Sequence, residues 1–245
     1  IYKISDDGSV IDLLVNEGTH ALWYNGFTLR QLSFSVKNSS EIWTVFKAAY
    51  WVTPNPQFQK YDGTNWIDYT TVTGVPTDPR LVSFGINNDI FIASEDTIAK
   101  YDGSRWTQIG SVDNTSYSVY SSTPTGQIMS MKTSKTGDLY IGVIKADSLN
   151  EIRHYNGSDW ESFSIGYGIG KIALYIEIDD NGNIYAGTQE GLYRISATGT
   201  VEKFSTDTEP LPVPNVKKIE VDKYGHLWAA SDYGVINYDG KHWKQ

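Results

Sequence analysis

The chain has 245 residues, 40% of them hydrophobic and 13% aromatic, with no cysteine and a formal net charge of −9. That much apolar material can bury a core, so a disordered chain is excluded; without cysteine, so are a disulfide scaffold, a CxxC redox site and a thiolate-ligated zinc site. Lys and Arg are scattered through an acidic chain, which argues against nucleic acid as a partner, and no apolar run approaches the ~20 residues of a membrane-spanning helix.

The first residues, Ile1-Tyr2-Lys3-Ile4-Ser5 with Gly8 and Val10, match Leu192-Tyr193-Arg194-Ile195-Ser196 with Gly199 and Val201. On that alignment the chain starts in the third strand of a partial unit. The other alignment makes Tyr2 to Ile4 a first strand and Tyr24-Asn25-Gly26 the hairpin turn of the same unit, which leaves ten residues from Tyr24 to Phe34. That is short for a further strand and a crossover.

From there a repeat organises the chain. Tyr61-Asp62-Gly63 precedes Trp66, Tyr101-Asp102-Gly103 precedes Trp106, Tyr155-Asn156-Gly157 precedes Trp160, and Tyr238-Asp239-Gly240 precedes Trp243. The tyrosines are 40, 54 and 83 residues apart, and a degenerate copy at Leu192-Tyr193-Arg194-Ile195 divides the last gap into 38 and 45. A period near 40 is that of propeller blades. Upstream of each copy lies an alternating run, a tight polar turn and a second apolar run: Phe34 to Trp43, Val82 to Phe91, Met131 to Tyr140, Ile176 to Tyr185 and Ile219 to Trp228. Each reads as a β-hairpin.

One unit is therefore four short strands, a to d. In the last unit they are Lys218 to Val221, His226 to Ala230, Val235 to Tyr238 and Trp243 onward. The Asp-Gly and Asn-Gly pairs suggest two-residue hairpins between c and d. The tyrosine and tryptophan on either side are expected to pack between neighbouring sheets. The fold expected is all-β: a single propeller of four-stranded antiparallel blades over 1–245, six in number, with five blades plus an N-terminal extension as the alternative. The blades fall at about 31–75, 80–112, 124–166, 171–206 and 215–245, after a partial or atypical first unit at 1–30. Sustained 3.6-residue periodicity is absent, so no helix of useful length is expected.

Gly182-Asn183-Ile184-Tyr185-Ala186-Gly187-Thr188, Gly225-His226-Leu227-Trp228-Ala229-Ala230-Ser231 and the Y-[DN]-G-x-x-W motifs together resemble the two-component regulator propeller repeat, over about residues 31–245. In that family such propellers form the extracytoplasmic sensor of hybrid sensor kinases, often in gut Bacteroidetes, where glycan fragments are common signals. Similar repeats occur in stand-alone secreted or lipid-anchored proteins. The chain is shorter than the double propeller of the kinases and carries no span, β-sandwich or kinase of its own. The resemblance thus implies an extracytoplasmic module (periplasmic, secreted or lipid-anchored), either a stand-alone propeller or a fragment.

HExxH, GxSxG and Walker patterns are all missing. Gly166-Tyr167-Gly168-Ile169-Gly170 lacks the helix that a phosphate loop needs and reads as an inter-blade loop. His20, His154, His226 and His242 show no metal-ligand spacing, and Asp179-Asp180-Asn181-Gly182 lacks the acidic ligand that completes a calcium loop, so neither metal nor cofactor is expected. Two constellations remain. One polar position recurs on every inner strand: Ser35, Ser83, Lys132, Glu177 and Glu220. Alternation puts these on one side, around a central channel. Glu177 and Glu220 there could act as an acid–base pair in a lyase or hydrolase acting on polysaccharide. A wet channel that simply tolerates polar groups is the preferred reading, because only two of the five positions are acidic and Lys132 would neutralise one of them.

The other constellation is aromatic. Tyr50, Trp51, Tyr117, Tyr120, Tyr167 and Tyr233 fall in the b–c and d–a connections, which share one face. Rings beside Asn, Asp and Ser suit stacking on sugars or a peptide, although they could also cap the blade ends. The leading reading is a non-enzymatic module that binds a carbohydrate or peptide on this face. The alternatives are the channel enzyme and a scaffold for a protein partner.

Overall fold

The computed structural model describes residues 2–4, 10–12, 23–24, 27–28, 30–38, 40–47, 57–112, 126–145, 149–167, 175–188, 191–204 and 216–244. All of its elements are strands, so among the described residues no helix is long and apolar enough to cross a membrane. The chain opens with two short ladders, β1 (Tyr2–Ile4) with β2 (Val10–Asp12) and β3 (Trp23–Tyr24) with β4 (Phe27–Thr28).

Five four-stranded antiparallel sheets follow. Blade 1 is β5 (Arg30–Asn38), β6 (Glu41–Lys47), β7 (Gln57–Tyr61) and β8 (Trp66–Asp68). Blade 2 is β9 (Leu81–Phe84), β10 (Ile90–Ala93), β11 (Thr97–Tyr101) and β12 (Trp106–Ser111). Blade 3 is β13 (Gln127–Thr133), β14 (Leu139–Ile144), β15 (Leu149–Tyr155) and β16 (Trp160–Tyr167). Blade 4 is β17 (Tyr175–Ile178), β18 (Ile184–Thr188), β19 (Gly191–Ile195) and β20 (Val201–Phe204). Blade 5 is β21 (Val216–Val221), β22 (Leu227–Ser231), β23 (Gly234–Tyr238) and β24 (Trp243–Lys244). The molecule is a β-propeller, and five sheets fit the five-blade arrangement with an N-terminal extension. Consecutive inner strands pack in the order β5, β9, β13, β17, β21.

Among the described residues four cores form between the blades, and none is confined to a single sheet. Between blades 1 and 2, Trp43, Val45 and Phe58 meet Val82, Ile90, Ile92, Ala99 and Trp106. Blades 2 and 3 join through Phe91, Ile98, Leu139, Ile141 and Tyr155, blades 3 and 4 through Tyr140, Ile152, Ile176, Ile184 and Tyr193, and blades 4 and 5 through Tyr185, Leu192, Phe204, Ile219 and Leu227. A strand buried on both sides cannot alternate apolar and polar, which is why β10, β14 and β18 are buried at every position.

The tyrosine and tryptophan of each motif pair across the c–d turn, with ring centroids 5.2, 5.0, 5.0 and 4.6 Å apart in blades 1, 2, 3 and 5. They also reach the preceding blade. Trp106 lies edge-on to Trp43 at 5.9 Å, and the Trp160 indole N–H donates to the Ile109 carbonyl at 3.0 Å.

The turn itself corrects the two-residue expectation. Tyr61 pairs with Trp66, as Tyr101 does with Trp106, Tyr155 with Trp160 and Tyr238 with Trp243, so four residues intervene. The side-chain oxygen of the first turn residue makes the difference. Asp62 Oδ1 accepts from the amides of Thr64 and Asn65 at 2.9 and 2.7 Å, and Asn156 Oδ1 accepts from Ser158 and Asp159 at 2.9 Å each. The glycine that follows takes φ near +100°, where a Cβ would be strained (+98° at Gly63, +103° at Gly157). Aspartate and asparagine are interchangeable here because only an oxygen acceptor is needed.

Candidate functional site

The inner strands bring the recurring polar positions into one line. In blades 1 and 2 they bind strand to strand: Ser35 Oγ accepts the Phe84 amide at 3.2 Å, and the hydroxyls of Ser83 and Thr133 lie 3.0 Å apart. In blade 3 the position is Lys132, whose Nζ donates to Glu177 Oε2 of blade 4 at 2.7 Å. Glu177 is buried, and its Oε1 accepts the Ile178 amide at 3.1 Å. Burial pushes its carboxyl above the usual glutamate range; Lys132 pulls against that shift, and the nearby charge of Glu220 adds to it. Glu220 itself is exposed and lies 3.2 Å from Lys218. The two candidate carboxylates thus differ sharply, one buried on a lysine and one solvated.

A cavity of about 300 Å³ opens where these strands turn back, at the a–b ends of blades 3 to 5. Lys132 and Glu177 form part of its wall, with Lys135, Asp180, Asp222 and Lys223 from the turns. Lys135 and Asp180 are themselves ion-paired. Among the described residues no aromatic ring lines the cavity. The a–b turns close on their first residue. Asp179 Oδ1 accepts from Asn181 and Asn183 at 2.9 and 2.8 Å, and its Oδ2 takes Asn183 Nδ2 at 2.8 Å and the Tyr185 hydroxyl at 3.3 Å. With both oxygens so engaged, Asp179 serves the turn. Among the described residues no group of three or more His, Asp or Glu could hold a metal ion.

Of the six aromatic candidates on the opposite face, Tyr50, Trp51, Tyr117 and Tyr120 lie outside the described residues, as does His20. Tyr167 is the last residue of β16, paired with Leu149, so it ends a strand instead of standing in a loop; the ladder of blade 3 simply runs further than the Gly-rich stretch suggests. Tyr233 occupies the β22–β23 turn and is 66% exposed.

A second ladder went unread in the sequence. The residue just before the motif tyrosine is lysine in blades 1 and 2 and histidine in blade 3, and it crosses to an aromatic ring on strand b. Lys60 stands over Trp43 at 5.3 Å, Lys100 over Phe91 at 5.8 Å, and His154 stacks on Tyr140 at 4.4 Å with the rings 5° apart. Arg194 holds the same register position opposite Tyr185. Carboxylates complete the sites: Glu41 at 3.3 Å from Lys60, Asp89 at 2.7 Å from Lys100, and Glu161 at 2.6 Å from His154 Nδ1. Burial first, then the neighbouring carboxylates, pushes the Tyr140 hydroxyl up to about 12. The signal was legible as Lys60, Lys100 and His154 recurring one residue before the motif tyrosine, but only the cross-strand register says what they face.

No protein-family model and no curated protein matches the chain. Solved structures do. The fold matches the extracellular domain of a B. thetaiotaomicron protein assigned to the hybrid two-component systems, with a TM-score of 0.60 and 16% identity over 84% of this chain; the chain spans only 26% of that structure. Ycf48 bound to a D1 peptide matches at 0.60 and 14% identity, over 93% of this chain and 69% of that one. Inactivated virginiamycin B lyase from Staphylococcus aureus, solved with quinupristin, matches at 0.63 and 10%, over 89% and 73%. Identities this low speak to the fold alone. The chain is a β-propeller, and the solved structures it resembles include the extracellular domain of a hybrid two-component system, the class of protein whose repeat its own motifs resemble.

Proposed function

We propose that the chain is a non-enzymatic, extracytoplasmic recognition propeller that takes a carbohydrate or peptide on the face carrying the b–c and d–a connections. The observation that carries the reading is the contrast between its two candidate sites. Glu177, the buried carboxylate of the channel, is bound to Lys132 and to a backbone amide, so it is poorly placed to exchange a proton with a substrate. Tyr233, by contrast, presents an exposed ring from a turn held on rigid strands. Rings so placed stack on sugars or peptides at small entropic cost.

Binding of glycan oligomers and of peptides by titration calorimetry tests this. Tyr233→Ala, Trp51→Ala and Tyr120→Ala are expected to weaken binding about tenfold each with little change in melting temperature, a loss typical of a contact residue. Equal losses of binding and stability would make these rings structural. Turnover of a polysaccharide that Glu177→Gln and Glu220→Gln abolish would install the enzyme reading instead.

A further inference from the structure

The fifth blade keeps open a face that the other four cover. Trp228 of β22 is equivalent to Trp43, Phe91, Tyr140 and Tyr185, none more than 9% exposed, yet it is 44% exposed. Val235 of β23 is equivalent to Phe58, Ile98, Ile152 and Leu192, none more than 1% exposed, yet it is 55% exposed. In blades 1 to 4 those positions pack on the following blade. The groups that cover them come from the next c–d hairpin: Trp106 meets Trp43 and Phe58, with ring centroids at 5.9 and 5.5 Å, and Tyr101 meets Trp43 at 6.2 Å.

The N-terminus holds such a hairpin. The β1–β2 ladder pairs Tyr2 with Asp12, Lys3 with Ile11 and Ile4 with Val10. The β19–β20 ladder of blade 4 pairs Tyr193 with Lys203, Arg194 with Glu202 and Ile195 with Val201. Pair for pair, and with five residues of sequence between the strands in each case, the registers are the same. Tyr2 and Ile4 hold the positions of Tyr193 and Ile195, which are buried against blade 3. By the same equivalence Ile4 and Val10 stand where Tyr101 and Trp106 stand in blade 2.

We propose that the β1–β2 hairpin is the c–d half of a sixth blade and docks on the exposed face of blade 5, over Trp228 and Val235. Chain order agrees, because a hairpin preceding blade 1 joins the two ends of the row. A c–d hairpin supplies no inner strand beside β5, and there Phe34 and Val36 are exposed, whereas the equivalents of Phe34 in blades 2, 4 and 5 (Val82, Ile176 and Ile219) are buried.

The cysteine-free sequence makes the test direct. Val10→Cys with Val235→Cys, treated with a short bismaleimide in dilute solution, should cross-link within one chain about tenfold faster than Val10→Cys with Ser158→Cys on blade 3, because docking raises the effective concentration of one pair only. Equal rates for the two pairs, or a product that is only a covalent dimer, would overturn the proposal; the dimer would assign the face to a second copy. Deletion of residues 1–12 and Trp228→Ala should each lower the melting temperature, and Trp228→Ala should have little further effect in the shortened chain. Additive losses would overturn the proposal too. If the shortened chain does not fold, the cross-linking result decides.

Discussion

The junction between blades 1 and 2 and the junction between blades 3 and 4 use the same repeat positions and hold together differently. The first is aromatic, with no charge in its buried core: Trp43, Phe58, Tyr69, Tyr101 and Trp106 pack as tilted and edge-on rings, and its inner edge is closed by the hydroxyls of Ser33 and Ser35 on the backbone of β9. The second is mainly aliphatic, with Ile152, Ile165, Ile176, Ile184 and Ile195, and its inner edge is closed by Lys132 on Glu177. Burial supplies the cohesion of both. Only the second carries a buried charge, so only the second should respond strongly to pH. A propeller repeat thus specifies where a junction lies and leaves its chemistry open.

The largest expected effect breaks the first junction. Trp43→Ala empties a fully buried site that four other rings touch, and it should cost about 3–5 kcal/mol in denaturant unfolding. Lys132→Met comes next. It strands Glu177, and because Lys132 is itself 38% exposed the cost is discounted to about 1–3 kcal/mol. Adding Glu177→Gln should restore most of that loss, whereas the same pair of changes has no counterpart in the serine-closed junction.

The pH dependence of the second junction follows from the raised pKa of Glu177. A carboxyl raised in the folded state favours folding below its unfolded value and loses that contribution as pH rises through the folded one. The stability of Glu177→Gln relative to the unaltered chain should therefore increase as pH rises from about 4 to about 7, read by urea titration. A relative stability that does not change with pH would show that Lys132 cancels the cost of burial.

The smallest effect sharpens the comparison at the turns. Asp102 is held down to about 2, first by the Arg105 amide and then by the hydroxyl and amide of Ser104. A lowered carboxyl contributes stability above its unfolded value and loses it as pH falls through the folded one, so blade 2 should weaken between about pH 4 and pH 2. Asp102→Asn should remove that acid dependence and leave neutral stability nearly unchanged, since Asn156 already closes the same turn in blade 3.

Much of the blade was legible in the sequence because its causes are local. The Y-[DN]-G-x-x-W motif names its own turn: the acceptor oxygen, the positive-φ glycine and the two rings lie within six residues. The strands begin slightly earlier than the periodicity placed them, at Arg30, Leu81, Gln127, Tyr175 and Val216, because backbone pairing runs past the last alternating residue. The candidate site was harder to read. Lys132, Glu177 and Glu220 could be placed in one register, but the sequence alone does not show that one glutamate is buried on a lysine and the other solvated.

The sequence by itself determined the period, where the turns fall and which rings belong to each sheet, because those depend on residues a few positions apart. Tertiary structure alone decided what each blade face meets. Trp228 and Val235 are exposed in blade 5 and their equivalents are buried in the other four blades, although blades 1, 2 and 3 carry the same motif as blade 5. Burial depends on the neighbouring sheet, and a repeat that recurs from blade to blade carries no information about which blade has a neighbour.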